Sequence, residues 1–481
     1  NDGTLGVATS AFEGCPTFNS ITIPNSVATI GLDAISSKKV IWLTNTPPRG
    51  YNNVNAAINY VANKQYTELK NTIVYSYLSS LFEVRGVKYV PVSPAERTCD
   101  VIDCLYNDVE EFVIDSVVLF KGVTMYVKEV MPYTFHGNRN INSLKINNSG
   151  GIGKHSITNC TNLVDVVIGN GVTNIDNNVF DGCISLKDLR IEDGEEHLSL
   201  GYNSYSTDKS LFYDCPLETM YLGRDLSYQF ENSYKQSPFF NKRIKSVVLG
   251  ECVTSIKAYM FYQGLASTSF VIPNSVTSIG EYAFYNCGLK SVTIGNGVTS
   301  IGDYAFSGCY SLENIIIGNS VTKIGNFAFD NCKSLKDLRI EDGVGTLFLG
   351  YNKYKSNDIG EGLFNDCPLE TLYLGRDLSY EESSKYGYSP FYNKATITSV
   401  AIGDNVTSIG DYAFYGCSDL TSLTIGERVT SIGYDAFLGC SKITSVIIPD
   451  GVTSIGGSAF SNCSGLASLT IGDGVTSIGS S

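Results

Sequence analysis

The sequence predicts a mainly β solenoid built from short stacked coils, and three observations predict it. One phrase recurs every 23 residues: LTSLTIGERVTSIGYDAFLGCSK begins at Leu420, ITSVIIPDGVTSIGGSAFSNCSG at Ile443 and LASLTIGDGVTSIGSS at Leu466. Cysteines keep the same beat at Cys287, Cys309 and Cys332, and again at Cys417, Cys440 and Cys463. Within each phrase apolar and polar residues alternate, the period-two signature of a half-buried strand.

Each part of the phrase has a physical reason. Leu423 and Ile425 alternate with Ser422 and Thr424, which makes the strand. Gly426 ends it, and Pro273 and Pro449 stand at the equivalent place in other units, where no backbone donor is needed. A polar corner follows, written Asn274-Ser275, Asn296-Gly297 or Asp450-Gly451, pairs that favour tight turns. Val429 and Ile432 point inward from a second extended segment, which Gly433 breaks. Phe437 and Cys440 close the coil from a short turn, expected to be one turn of 3₁₀ helix. One coil cannot bury these residues alone, whereas coils stacked at about 4.8 Å place like side chains over one another in ladders.

The phrase resembles the BspA-like leucine-rich-repeat family, surface proteins of anaerobic bacteria and some protists. The resemblance rests on the Leu-x-x-Leu-x-Ile strand, on Val-Thr-Ser-Ile-Gly at Val298–Gly302, Val406–Gly410 and Val452–Gly456, and on the Ala-Phe-x-x-Cys closure at Ala305–Cys309 and Ala413–Cys417. It covers 131–481 and a shorter stretch from Leu5 to Ile35. It implies a leucine-rich-repeat solenoid with a parallel sheet and short 3₁₀ turns; another parallel β-solenoid is the alternative architecture. For function it implies surface adhesion and binding, an analogy at the level of the fold.

Composition narrows the class. A hydrophobic fraction of 43% is ample for a buried core, and a net charge of −14 argues against nucleic acid and anionic membrane as partners. No apolar run approaches the roughly 20 residues that span a bilayer. The chain opens and closes inside repeat units and reads as a piece of a longer protein, whose export signal or anchor would lie elsewhere.

Along the chain, 1–45 read as the end of a first array, with Phe12 and Cys15 closing one coil and Ile21, Ile23, Val27 and Ile30 forming the next. Residues 46–80 read as a capping segment, with helical spacing at Val54, Ala57, Ile58 and Val61. Residues 81–130 read as β-hairpins, with Lys121-Gly122 as a turn, and 131–481 as the main array. Inside it two Tyr-rich blocks, near 186–243 and 335–395, duplicate one another: LRIEDGEEHLSLGYNSYS from Leu189 recurs as LRIEDGVGTLFLGYNKYK from Leu338, and CPLETMYLGRDLSY from Cys215 as CPLETLYLGRDLSY from Cys367.

Catalytic and cofactor signatures are wanting. The three histidines, His136, His155 and His197, have no metal-ligand spacing, and no His-Glu-x-x-His, Gly-x-Ser-x-Gly or Walker loop occurs. Gly150-Gly151-Ile152-Gly153-Lys154 reads as an irregular repeat corner. The Asp-Gly corners supply one carboxylate per coil, which is turn chemistry and not a calcium loop. No cofactor or metal is expected. The ladder cysteines read as reduced, small core residues, and Cys99 with Cys104 as the better disulfide candidates.

Binding anchors are expected in the duplicated blocks, since the outward strand residues elsewhere (Ser291, Thr293, Ser422, Thr424) are bland. Arg190 should face Tyr221 on the next strand, and Arg339 should face Tyr373, with Tyr202 and Tyr351 in the adjoining loops. The plainer alternative is that these tyrosines pack long loops onto the solenoid. The reading is a cell-surface or secreted adhesion scaffold for a host or neighbouring-cell protein, without enzymatic activity. The alternative is a glycan-binding module of a carbohydrate-capture system.

Overall fold

The computed structural model describes residues 82–93, 96–104, 111–120, 122–201, 211–228, 238–266, 269–350, 362–380 and 389–480, with the backbone of short strands between 6 and 76. Every regular element among them is a strand. The expected helix at 54–61 lies outside the described residues. Beyond it Thr67–Leu69 pairs antiparallel with Thr72–Ser76, which runs parallel to Lys39–Trp42, itself parallel to Ile21–Ile23.

The chain divides into two compact units, Asn1–Leu217 with Leu226–Glu231, and Glu218–Asp225 with Asn232–Ser481. In the first, Phe82–Val84, Val87–Ser93 and Thr98–Cys104 form an antiparallel meander, and Val117–Phe120 turns back on Val123–Val130 through Gly122 at φ 77°. Val123–Val130 changes the topology, because it also runs parallel to Thr98–Cys104 and to Gly151–Ile152. Parallel pairing then continues through Asn174–Ile175, Leu198–Leu200 and Leu226–Ser227. Gly151 and Ile152, inside the run expected to be an irregular corner, thus form a strand of this row. A second parallel row comprises Glu111–Ile114, Ser143–Ile146, Asp165–Ile168 and Asp188–Ile191.

The disulfide expected between Cys99 and Cys104 is not formed. The two residues lie on one strand, Thr98–Cys104, where five extended residue steps separate them by roughly 16 Å. A disulfide needs Cα atoms within about 7 Å.

The second unit repeats two parallel rows. Ser269–Ile272, Ser291–Ile294, Asn314–Ile317, Asp337–Ile340, Thr371–Leu374, Ser399–Ile402 and Ser422–Thr424 form one. Ser255–Ile256, Ser278–Ile279, Ser300–Ile301, Lys323–Ile324, Leu347–Leu349 and Leu378–Tyr380 form the other. Register never slips, so equivalent residues of successive coils lie side by side. Phe239, Phe261, Phe284, Phe306, Phe329, Phe364, Phe391, Phe414, Phe437 and Phe460 make one continuous stack with centroids 5.0–5.8 Å apart. Each such pair adds about 0.5–1.5 kcal/mol beyond the area it buries.

The ladder cysteines have a role that composition alone does not reveal. In the second unit these thiols donate to the carbonyl of the phenylalanine one coil earlier: Cys287 to Phe261 at 3.0 Å, Cys309 to Phe284 at 3.2 Å, Cys332 to Phe306 at 3.3 Å, Cys440 to Phe414 at 3.4 Å. A small apolar residue with one weak donor suits this position better than alanine. Burial raises the Cys287 and Cys417 thiols to about 12, so they stay protonated and unreactive.

The closing turn keeps the bonding of the expected 3₁₀ turn but not its helical backbone. Ala283 donates to Gly280 at 3.3 Å, Tyr285 to Tyr282 at 3.2 Å and Cys287 to Phe284 at 3.2 Å, the three-residue spacing of a 3₁₀ helix. Yet Tyr282 and Asn286 both have φ 53°, so the segment is a chain of tight turns. Left-handed backbone costs an L residue about 1–2 kcal/mol, a cost that the stacked turns and their rings offset. Outside, charges alternate where stacked coils would otherwise juxtapose like ones: Lys245 pairs with Glu218 at 2.7 Å, Lys290 with Glu313 at 3.3 Å and Lys336 with Glu370 at 2.8 Å.

Candidate functional site

Alternation along the four-residue strands of the array interior buries the second and fourth residues and turns the first and third outward, as Asp337–Ile340 and Thr371–Leu374 show. The in-register pairing then lines the outward third residues into a row. In the second unit it reads Val271, Thr293, Ile316, Arg339, Tyr373, Ala401 and Thr424, and beside Val248 stands Tyr221. Polar residues fill the companion row: Ser269, Ser291, Asn314, Asp337, Thr371 and Ser399.

Arg339 and Tyr373 meet in this row. The guanidinium carbon lies 4.0 Å from the tyrosine ring centroid, and Nε donates to Glu341 at 2.8 Å. Tyr373 Oη donates to Asp342 Oδ1 at 2.7 Å. That bond to a carboxylate, with partial burial, raises the phenol's pKa. Gly403 on the next coil leaves room for it, since a Cβ there would stand 2.9 Å from Tyr373 Oη and 3.1 Å from Asp342 Oδ1. Both side chains are thus held from two directions before any partner arrives, which lowers the entropy lost on binding.

The equivalent residues of the first block lie in different compact units. Arg190 is exposed on Asp188–Ile191 in the first, and Tyr221 is half-buried on Thr219–Leu222 in the second. Tyr202 and Tyr351 lie outside the described residues. The outward aliphatics went unremarked in the sequence: Val248 is 54% exposed and Val271 65%. Their signal was present, since Val248 and Val271 are the third residues of Ser-Val-Val-Leu and Ser-Phe-Val-Ile.

The duplicated Gly-Arg-Asp motif is structural. Arg376 is only 2% exposed and donates through Nη1 to the Asn319 carbonyl at 2.7 Å and through Nη2 to Gly318 at 2.8 Å. It reaches past the intervening coil because the corner there, carrying exposed Val344, is longer than its neighbours. Gly343 packs on the guanidinium; a Cβ would come 3.2 Å from Arg376 Cδ. Asp377 accepts the Thr407 and Ser408 amides at 2.7 and 3.1 Å, and Asp225 takes the Thr254 and Ser255 amides at 2.9 and 3.0 Å. A cavity of about 30 Å³ between Arg376, Phe391 and Phe414 has room for a water or two. Among the described residues no group of three or more His, Cys, Asp or Glu is placed to hold a metal ion.

Comparison with known proteins places the repeat. A family model described as BspA type leucine rich repeat region (6 copies) matches residues 3–82, 195–264, 254–389 and 384–481, more than half of the chain. No curated protein matches. Among solved structures, a leucine-rich repeat protein from Bacteroides ovatus is 22% identical over 83% of this chain and 90% of its own, with a TM-score of 0.37. A leucine rich cell surface protein from Faecalibacterium prausnitzii is 19% identical over 82% and 95%, with a TM-score of 0.26. The pneumococcal vaccine antigen PcpA is 16% identical over 82% and 99%, with a TM-score of 0.28.

Proposed function

The chain belongs to the BspA-type leucine-rich-repeat family, and from that premise we propose that it is a cell-surface or secreted adhesion scaffold whose sheet face binds a host or neighbouring-cell protein. One observation carries the reading: Arg339 stacked on Tyr373 at 4.0 Å, each fixed by its own carboxylate, in the middle of an outward row. Arginine and tyrosine, with tryptophan, are enriched among the anchors of protein interfaces, and fixed side chains make good ones. The exposed Val248 and Val271 on the same face suit an apolar protein surface. The glycan alternative is less well supported, because the Tyr373 face that a sugar would use is covered by Arg339 on one side. Tyr221, in register with the exposed Val248 of the same unit, is a further candidate residue.

The test is a parallel screen of the purified chain on a glycan array and against surface and matrix proteins. A protein hit that weakens when Tyr373 becomes Ala, and weakens further when Tyr221 is also changed, supports the proposal. A glycan hit with no protein hit supports the alternative. A protein hit bound as tightly by the double variant removes the sheet face from consideration.

A further inference from the structure

On the turn side of the coils lies a second surface, independent of the sheet face. Tyr259, Tyr282, Tyr304 and Phe327 occupy the left-handed position of successive turns and stack ring on ring at 5.1, 4.7 and 5.0 Å. Tyr262 and Tyr285 form a neighbouring column, 4.7 Å apart, which meets the first through Tyr259–Tyr262 at 5.9 Å and Tyr282–Tyr285 at 5.4 Å. All six rings are half-buried, so each keeps part of its edge in solvent. The fold does not require them: Asp435 and Ser458 take the same left-handed position at φ 53° and 54°. Left-handed backbone suits Asn, Asp or Gly and disfavours bulky residues. Stacking explains how the rings are held, but not why they gather on these coils.

Two carboxylates border the rings. Glu281 and Asp303 precede Tyr282 and Tyr304 and stand at one position of adjacent coils, and neither forms an ion pair among the described residues. Asp303 accepts the Asn326 amide at 2.8 Å, while Glu281 is exposed. Burial and the neighbouring Asp303 push the Glu281 carboxyl upward. The patch therefore joins rigid aromatic area to uncompensated negative charge, in a chain whose net charge is −14.

We propose that this aromatic and acidic face docks an arginine-bearing segment of a partner protein. A guanidinium is planar and weakly hydrated, and its five N–H donors can reach phenolic oxygens and carboxylates together. Tyrosines already fixed by stacking supply contact area at little entropic cost. Placing the cation between Glu281 and Asp303 relieves their repulsion.

The repeat itself supplies conservative variants. Ser458 shows that the left-handed position accepts serine, and Asn326 that the preceding position accepts an amide. A fluorescein-labelled peptide of alternating Arg and Gly is titrated onto the full chain by anisotropy, with an Asp-Gly peptide for reference. The Arg peptide alone should bind, more weakly as salt rises. Tyr282→Ser with Tyr304→Ser, and separately Glu281→Gln with Asp303→Asn, should each weaken binding about tenfold or more. Glu251→Gln with Glu427→Gln removes equal charge elsewhere and should change nothing. Melting curves establish folding; if the serine pair does not fold, the amide pair, which leaves the ring stack intact, decides alone. Failure of the Arg peptide to bind overturns the proposal. So does binding that survives the amide pair, or an equal loss in the Glu251 and Glu427 control.

Discussion

The coils closed by Phe284, Phe306 and Phe329 differ from the block that follows them in almost everything except their interior. The regular coils have five-residue corners, small outward residues such as Ser291 and Thr293, and a cysteine at each closure. In the block one corner lengthens (341–346) and the next shortens (375–377), Arg339 and Tyr373 replace the small residues, and Lys394 stands where a ladder cysteine would be. Yet the phenylalanine stack passes through Phe364 and Phe391 without a break, at 5.5, 5.8 and 5.7 Å. Lys394 even performs the cysteine's task, its Nζ donating to the Phe364 carbonyl at 2.7 Å as Cys440 donates to Phe414. The array tolerates large changes outside provided the ladder persists and each buried backbone group finds a partner.

That comparison can be broken most forcefully from the inside. Phe414→Ala interrupts the stack between Phe391 and Phe437 and should cost about 3–5 kcal/mol by denaturant titration. An unchanged midpoint would mean the coil register is wrong. Arg376→Met comes next. It leaves the Gly318 and Asn319 carbonyls without their donors, and a net loss of about 1–3 kcal/mol is expected. No loss would make the buried guanidinium dispensable.

Lys394→Cys restores the rule of the ladder and should raise stability by roughly 1 kcal/mol near pH 7, because it removes a buried charge. Burial lowers the Lys394 pKa, with Cys367, Asp366, Cys417 and Asp330 nearby favouring the charged form only in part. The folded state therefore releases the proton before the unfolded chain does. Wild-type stability gains from rising pH between that lowered value and the ordinary one near about 10.4, so the variant's advantage should shrink across this window. A gap that stays constant there would contradict a buried ammonium. The smallest effect belongs to the outward row: Tyr373→Ala removes an exposed cation–π contact and should cost only about 0.5–1 kcal/mol of stability.

How legible this was depended on periodicity. The strand, corner and closure could be placed residue by residue because a 23-residue beat repeats each position many times, and the Arg339–Tyr373 contact followed from alternation plus parallel register. What repetition does not encode was harder to read. Nothing in the repeat marks Arg376 as buried, because its carbonyl partners at Gly318 and Asn319 lie beyond the preceding coil. Cys99 and Cys104 looked like a disulfide pair because closeness in sequence says nothing about distance along an extended strand. The turn-side tyrosines are hard to read because each repeat carries only one or two of them and they become a patch only on stacking.

The central claim is that the ladder cysteines lie sealed inside the stack of coils, and thiol titration with peptide mapping tests it most directly. Native protein should leave Cys287, Cys309, Cys332, Cys367, Cys417 and Cys440 unmodified, all of them buried and free, and denaturant should expose them together. Rapid native labelling of these residues, or a covalent bond between Cys417 and Cys440, would contradict it.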